Sequence, residues 1–235
     1  MTQARQPLPN IPKYIIGPVP PALPAGLAER MAQLDTPMLG HILWWGHMDS
    51  GIRASGGFGP RTIGRALTVQ IPAADSTMLH HAIGLATPGD ILMIDRMGDR
   101  TYACLGDGVA GAAMRAGIVG AVIDGPCTDA DEMVALGFPV WCRGTAPVTT
   151  RLLDSGGTVH RPVSVGGVAV MPGAAVIADA SGVFALDALE AVRAVDIALE
   201  RAEIVAARRA GRDPSVPLGQ MTGASAMVER GLATE

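Results

Sequence analysis

The amino-acid sequence predicts an α/β fold in which short strands alternate with helices. Three observations carry this. Residues 102–143 read YACLGDGVAGAAMRAGIVGAVIDGPCTDADEMVALGFPVWCR, which parses as strand, turn, helix, strand, turn, helix, strand. Hydrophobic residues make up 49% of the chain but aromatic ones only 3%, so a sizeable core is built from Ala, Val, Ile, Leu and Met. The 30 glycines suit tight strand–turn–helix alternation.

Taken in order, residues 1–26 carry Pro7, Pro9, Pro12, Pro18, Pro20, Pro21 and Pro24. They read as an extended arm that lies over its own domain or a neighbouring subunit. Residues 27–34 are a short helix, interrupted at Pro37. Residues 38–47 follow with Trp44 and Trp45 side by side. On a helix these would point about 100° apart, one to the core and one to a pocket or partner. His41 and His47 are spaced i, i+6, which does not put two ligands on one helix face. Residues 55–60 are a Gly-rich loop and 63–71 a strand. Asp75 and Ser76 are placed to N-cap a helix over 77–86, which carries His80 and His81 as solvated or core residues.

A turn at 88–90 leads into a strand at 91–95, a second turn at 97–100 into a strand at 101–105. In the central stretch the helices span 109–116 and 130–136 and the strands 118–123 and 138–142. Beyond Cys142 the segments 148–153, 158–162, 168–170, 176–178 and 183–185 read as short strands. Residues 188–210 form a long helix with Val192, Val195, Leu199 and Val205 along one face, ended by Gly211 and Pro214. This organisation gives an arm (1–26), a single domain (27–211) and a tail (212–235) with few apolar anchors.

A formal charge of −4 gives no basic footprint for nucleic acid. No run of about 20 apolar residues suggests a membrane span, and the N-terminus shows no apolar signal core. Cys104, Cys127 and Cys142 are odd in number and lack metal-type spacing, which points to a reducing compartment. A cytoplasmic protein is expected.

Two acidic clusters stand at the turn mouths of the central stretch, Asp107 in one and Asp124, Asp129, Asp131 and Glu132 in the other. Gly106, Gly108 and Gly111 spell G-x-G-x-x-G, with Asp124 at a suitable distance for a dinucleotide site. The alternative is a small-anion and metal site. There the free N–H groups of a glycine-bearing helix start meet an anion, and returning carboxylates hold a hard cation through water.

The spacing favours the second. Gly106-Asp107 is followed by a twenty-residue gap, then Thr128-Asp129, then Glu132 three positions after the Asp. This resembles the family of 4-hydroxy-4-methyl-2-oxoglutarate aldolases and regulators of RNase E activity A, which carry Gly-Glu/Asp, the same gap, Arg-Asp and a following acid. IGRALTV (63–69), DSTMLHHAI (75–83), PGDILMID (88–95), GIVGAVIDG (117–125), GFPVW (137–141) and ADASGVF (178–184) resemble that family's segments in order. The likeness covers roughly residues 31–203.

The resemblance implies a β/β/α sandwich with a small central barrel, like a phosphohistidine swivelling domain, with flanking helices. It implies a class II retro-aldol cleavage of a keto acid, or decarboxylation through the same enolate, with Mg²⁺ or Mn²⁺ as cofactor. Asp129 would hold the metal, with Glu132 beside it. Asp107 would hold a water acting as general acid and base, Gly106, Gly108 and Val109 would receive the substrate carboxylate, and Thr128, at the motif Arg position, would share in substrate binding and catalysis. It also implies a homotrimer or hexamer, with Glu203 or Glu200 reaching a neighbour's site. Three positions depart from the family: its Arg is Thr128, an Asn is Ser76, and a later acid is Ala174. Thr128 offers one hydroxyl where Arg offers a bidentate grip and a full charge. Arg96, Arg100 and Arg143 are candidates to replace it. The expected function is therefore a metal-dependent lyase acting on a small carbonyl compound, its substrate altered from the family's. The alternatives are a non-catalytic regulator of the same fold and an NAD-binding oxidoreductase. Cys127 as a nucleophile is a further candidate, with no histidine to pair with it.

Overall fold

A computed structural model describes residues 11–232. Pro7 and Pro9 of the arm and the last three residues of the tail lie outside them. The N-terminal half runs β1 (Tyr14–Ile16), α1 (Leu27–Met31), α2 (Thr36–Gly40), β2 (Arg53–Ala54), β3 (Thr62–Gln70), α3 (Thr77–Ile83) and β4 (Asp90–Asp95). The central stretch forms α4 (Asp107–Arg115), β5 (Gly120–Ile123), α5 (Ala130–Leu136) and β6 (Val140–Cys142). Then come β7 (Gly157–Val159), β8 (Val163–Val165), β9 (Val168–Val170), β10 (Ala175–Asp179), β11 (Gly182–Leu186), α6 (Ala188–Ala210), α7 (Leu218–Thr222) and α8 (Ala224–Gly231).

β3, β4, β5 and β6 lie side by side and parallel. Antiparallel strands extend this core. β10 pairs with the first half of β3 and β7 with its last two residues. β1, from the arm, adds parallel to β7, β2 adds to β6 and β11 to β10, completing a nine-stranded sheet. β8 and β9 form a separate ribbon.

Alternation along the parallel strands decides the layering. Leu67, Val69, Leu92, Ile94, Ala121 and Ile123 pack with Met78 and Leu79 of α3, Ala110 and Ala113 of α4 and Met133 of α5. Their neighbours Ala66, Ile91, Met93, Val122 and Trp141 pack on the other face with Val163, Val165 and Val170 of the ribbon and with Val176 and Val183. Helices cover one face and β-structure the other, which is the expected β/β/α layering. Burial on both faces is why ILMI (91–94) is an unbroken apolar run. The arm is tied to this core through Arg65. Its Nη1 donates to the Pro20 carbonyl at 2.8 Å, while Nε and Nη2 grip the buried Asp90 carboxylate at 2.8 and 3.0 Å.

Several elements differ from expectation. Pro37 does not interrupt a helix but sits in the first turn of α2, where a missing N–H costs nothing. Asp35 caps that helix by accepting from the Met38 N–H at 2.8 Å. α2 stops at Gly40, so Trp44 and Trp45 follow in a bend, 90% and 54% exposed, while Trp141 is the buried tryptophan. Residues 101–105 and 148–153 are not strands and meet at a single bridge, Ala103 to Thr149. Side chains claim one donor at each: Asp99 accepts from Tyr102 N–H, and Asp75 from Leu153 N–H.

The chain divides between Ala198 and Leu199 into two compact units. In the first, α6 buries Ala191, Ala194, Val195 and Ala198. In the second, α7 and α8 bury none of their residues.

Candidate active site

Three backbone junctions between distant segments build one cleft. Asp75 bridges to Arg151, with Arg151 N–H donating to the Ala74 carbonyl at 2.9 Å and Ser76 N–H to the Arg151 carbonyl at 3.0 Å. Ala103 bridges to Thr149. Thr128 N–H donates to the Leu105 carbonyl at 3.0 Å, which sets the turn after β5 against the start of α4. The cleft measures about 280 Å³. It is lined by Gly106–Val109, by Thr128 and Asp129, and by Ser76, His80 and Arg151.

Asp129 decides the geometry. It stands at the N-cap of α5 in the left-handed conformation (φ 52°, ψ 46°), which Asp tolerates better than most residues. Its carboxylate does not cap that helix. It turns back instead: Oδ2 accepts from the Asp107 N–H at 3.3 Å and Oδ1 from the Thr128 hydroxyl at 3.0 Å. The carboxylate thus lies at the positive end of α4. Gly106 makes this possible, since a Cβ there would come within 2.2 Å of Asp129 Oδ2. Asp107 opens α4 and is exposed, its Oδ1 accepting from the Gly108 N–H at 2.6 Å. The Val109 N–H is among those that a helix start leaves without an intrahelical acceptor.

Gly106, Asp107, Gly108, Val109, Thr128 and Asp129 are therefore brought together. Glu132 is exposed in the first turn of α5 and does not line the cleft. Glu200 and Glu203 are exposed on the part of α6 that belongs to the second unit. Among the described residues no group of three or more His, Cys, Asp or Glu converges as a ready metal cage. Two carboxylates with room for water match what Mg²⁺ takes from proteins, so the residues present fit a hydrated hard cation.

None of the three arginines expected to replace the motif cation does so. Arg96 is fully buried, its Nη2 donating to Asp99 and to the Tyr102 carbonyl, both at 3.0 Å. Arg100 pairs with Asp124 at 3.1 Å. Arg143 is held by Asp124 and Asp49, and these two partners push its pKa up. The basic side chains that do line the cleft are Arg151 and His80, both exposed. Arg151 carried no signal in sequence, because only the bridge to Asp75 brings it here. His80 was visible on its helix, but the face it shares with the site was not.

Cys127 is not a nucleophile. It is fully buried with its Sγ 3.4 Å from Cys142 Sγ, and the hydrogen bond with Cys142 together with burial pushes its thiol pKa up. The dinucleotide reading also finds no support. The glycine motif follows an isolated bridge rather than a strand, and a Cβ on Gly108 would meet open space, so no close approach demands glycine there. A larger cleft of about 940 Å³ lies beside α2 and β11, lined by Trp44, Met48, Trp141 and Phe184. Its one carboxylate, Asp49, is committed to Arg143, whose hydrogen bonds hold its pKa at about 2. Its size marks room, while the open carboxylates are in the smaller cleft.

Comparison with known proteins identifies the family of the chain. The RraA-like family, described as Aldolase/RraA, matches residues 45–185. A Halalkalibacterium halodurans protein provisionally named 4-hydroxy-4-methyl-2-oxoglutarate aldolase is 40% identical over 123 residues, 52% of this chain and 58% of that protein. The match thus spans less than two thirds of that relative's length. A Shewanella oneidensis protein with the same provisional name is 31% identical over 109 residues, 46% of this chain and 66% of that one. Among solved structures, Streptomyces coelicolor RraAS2, described as an unusual member of the RNase ES inhibitor RraA family, superposes with a TM-score of 0.71. It is 28% identical and covers 80% of this chain and 98% of its own. RraA from Thermus thermophilis, at 24% identity and a TM-score of 0.58, shares the fold over 66% of this chain and 92% of that one. By its sheet, its layering and this match over residues 45–185, the chain belongs to the RraA-like family.

Proposed function

We propose that the protein is a divalent-metal-dependent lyase of the aldolase or decarboxylase type, acting on a small carbonyl or keto-acid compound. The observation that carries this reading is the Asp129 carboxylate, which leaves its own helix uncapped to stand at the start of α4 beside Asp107. A carboxylate needed only for folding would cap α5.

Asp129 would hold the ion, with Asp107 reaching it through water, and Glu132 would stand further out. When bound, Mg²⁺ or Mn²⁺ supplies a Lewis acid for the carbonyl oxygen on which charge develops. Asp107 is exposed to the cleft and is placed to carry a proton to or from a water there. The Val109 N–H at the positive end of α4 receives a substrate carboxylate. Thr128 orients Asp129 through its hydroxyl, a role that uses the group Thr has and needs no charge.

Chelation tests this. Turnover of a keto-acid panel that includes oxaloacetate should vanish after exhaustive chelation and return with Mg²⁺ or Mn²⁺. Turnover indifferent to chelator would sink the reading. A second reading, a non-catalytic regulator of the same fold, is favoured by Thr128 in place of the family's Arg and by the likeness to RraAS2. Calorimetry separates the two, because a regulator binds neither divalent ions nor keto acids in this cleft. We further propose a homotrimer or hexamer with sites between subunits, consistent with the exposed Trp44 and Trp45. A monomer by light scattering at micromolar concentration would contradict it.

A further inference from the structure

We infer that Arg151, with His80 beside it, forms an anion-binding subsite that takes a carboxylate of the substrate in the Asp107–Asp129 cleft. The substrate would then be an acid whose carboxylate is gripped from the α3 side rather than by the residue preceding Asp129. This rests on the proposed lyase reading for what happens at the Asp129 end, but the anion grip is measurable without turnover.

Three observations carry it. First, Arg151 lines the cleft, is exposed, and enters no ion pair among the described residues, whereas Arg96, Arg100 and Arg143 are all committed to carboxylates. Arg151 lines a cleft that holds two carboxylates and pairs with neither, which leaves its guanidinium available to a ligand anion.

Second, its backbone is locked in place. Asp75 is 1% exposed and makes no ion pair among the described residues. Its carboxylate accepts from the N–H groups of Thr77 (2.8 Å), Leu153 (3.0 Å) and Ser155 (2.7 Å), tying the segment after Arg151 to the start of α3. With the bonds from Arg151 N–H to Ala74 and from Ser76 N–H to Arg151, the main chain on both sides of the side chain is held. Asp75 is thus a positioning residue for Arg151.

Third, α3, whose start Asp75 anchors, also brings His80 to the lining, so the cleft holds two basic residues, Arg151 and His80, as well as the two carboxylates Asp107 and Asp129. A cleft with this lining suits a ligand that offers a carboxylate to the basic residues and metal-binding oxygens to the acidic ones. Thr128 is then tolerable because the cation has moved to another residue.

The probe is malonate, a non-reacting dicarboxylate, titrated by calorimetry into the full-length protein in EDTA. Wild type should bind it. Arg151→Gln should weaken binding between about tenfold and a hundredfold, as expected for a lost charge-assisted hydrogen bond. Arg151→Lys should keep part of the affinity, since charge survives but the fork does not. Circular dichroism checks that each variant is folded. In turnover, Arg151→Gln should raise KM for an acidic substrate with a smaller effect on kcat. Absence of malonate binding to wild type, or equal binding by wild type and Arg151→Gln, overturns the subsite. Turnover insensitive to chelation would instead overturn the lyase reading and leave the malonate result standing.

Discussion

Asp124 and Asp129 sit five residues apart on the same turn and have opposite fates. Asp124 follows β5 and is saturated: Arg100 and Arg143 pair with it, and the Gly166 N–H donates to its Oδ2 at 2.8 Å. Through Arg143 it is joined to Asp49, so it ties the loop after α2, the central sheet and the β8–β9 ribbon together. Among the described residues Asp129 has no cation beside it, only one N–H and one hydroxyl, and it lines an open cleft. A carboxylate neutralised by two guanidinium groups is a structural joint. A carboxylate held in place by weak donors keeps its charge and lone pairs for a ligand. Sequence shows two acidic residues in one turn, and only their partners tell them apart.

The sharpest way to break this comparison is to remove each carboxylate. Asp129→Ala should abolish Mg²⁺-dependent turnover, by at least about a hundredfold in kcat/KM, the scale for losing one preorganised electrostatic group. It should leave the melting temperature nearly unchanged. Asp124→Ala should do the reverse. Leaving Arg143 and Arg100 short of a partner should lower stability by about 1–3 kcal/mol in denaturant unfolding, while Mg²⁺ binding measured by calorimetry persists. Matching losses of metal binding in both variants would erase the distinction.

Thr128→Arg sharpens the same contrast by adding the cation that Asp129 lacks. In the lyase reading it should raise oxaloacetate decarboxylation by roughly tenfold, and Asp129→Ala in that background should remove the gain. A folded Thr128→Arg protein that binds Mg²⁺ without any rise would show that the pocket has been rebuilt elsewhere, as Arg151 suggests.

Gly106→Ala should have a smaller effect. The new methyl group occupies the place of Asp129 Oδ2, so the carboxylate must swing away. Metal affinity should fall by several fold, read by calorimetry, with circular dichroism unchanged. Unaltered affinity would mean that the approach of Asp129 to the Gly106 backbone is not what sets the site.

The mildest test uses pH. Burial of Asp75 raises its pKa, but the hydrogen bonds from Thr77, Leu153 and Ser155 outweigh it and hold the group at about 2, below its ordinary 3.8. A carboxylate depressed on folding contributes stability that is fully present above the unfolded pKa and is lost as pH falls towards the folded one. Asp75 should therefore contribute roughly 2 kcal/mol at neutral pH, lost between about pH 4 and pH 2. Asp75→Asn should flatten that part of the stability profile. An unchanged acid limb would remove Asp75 as the anchor of the Arg151 segment.

Local pattern determined much of this protein by itself. The α5 boundaries at Ala130–Leu136 and those of α6 at Ala188–Ala210 follow from periodicity and end signals. The strand cores β3, β4 and β5 follow from apolar runs, while Asp107 and Asp129 were singled out by their resemblance to the family's motif. Tertiary structure decided the rest. Whether 148–153 formed a strand depended on partners from across the chain: Thr149 bridges to Ala103, Arg151 to Asp75, and the Asp75 carboxylate takes the Leu153 N–H. Which arginine reaches the cleft depended on a bridge between residues 75 and 151. The direction of the Asp129 carboxylate depended on a backbone without a Cβ at Gly106. Helix and strand periods are properties of neighbours in the chain. The competition of one carboxylate for donors from several segments is a property of neighbours in space.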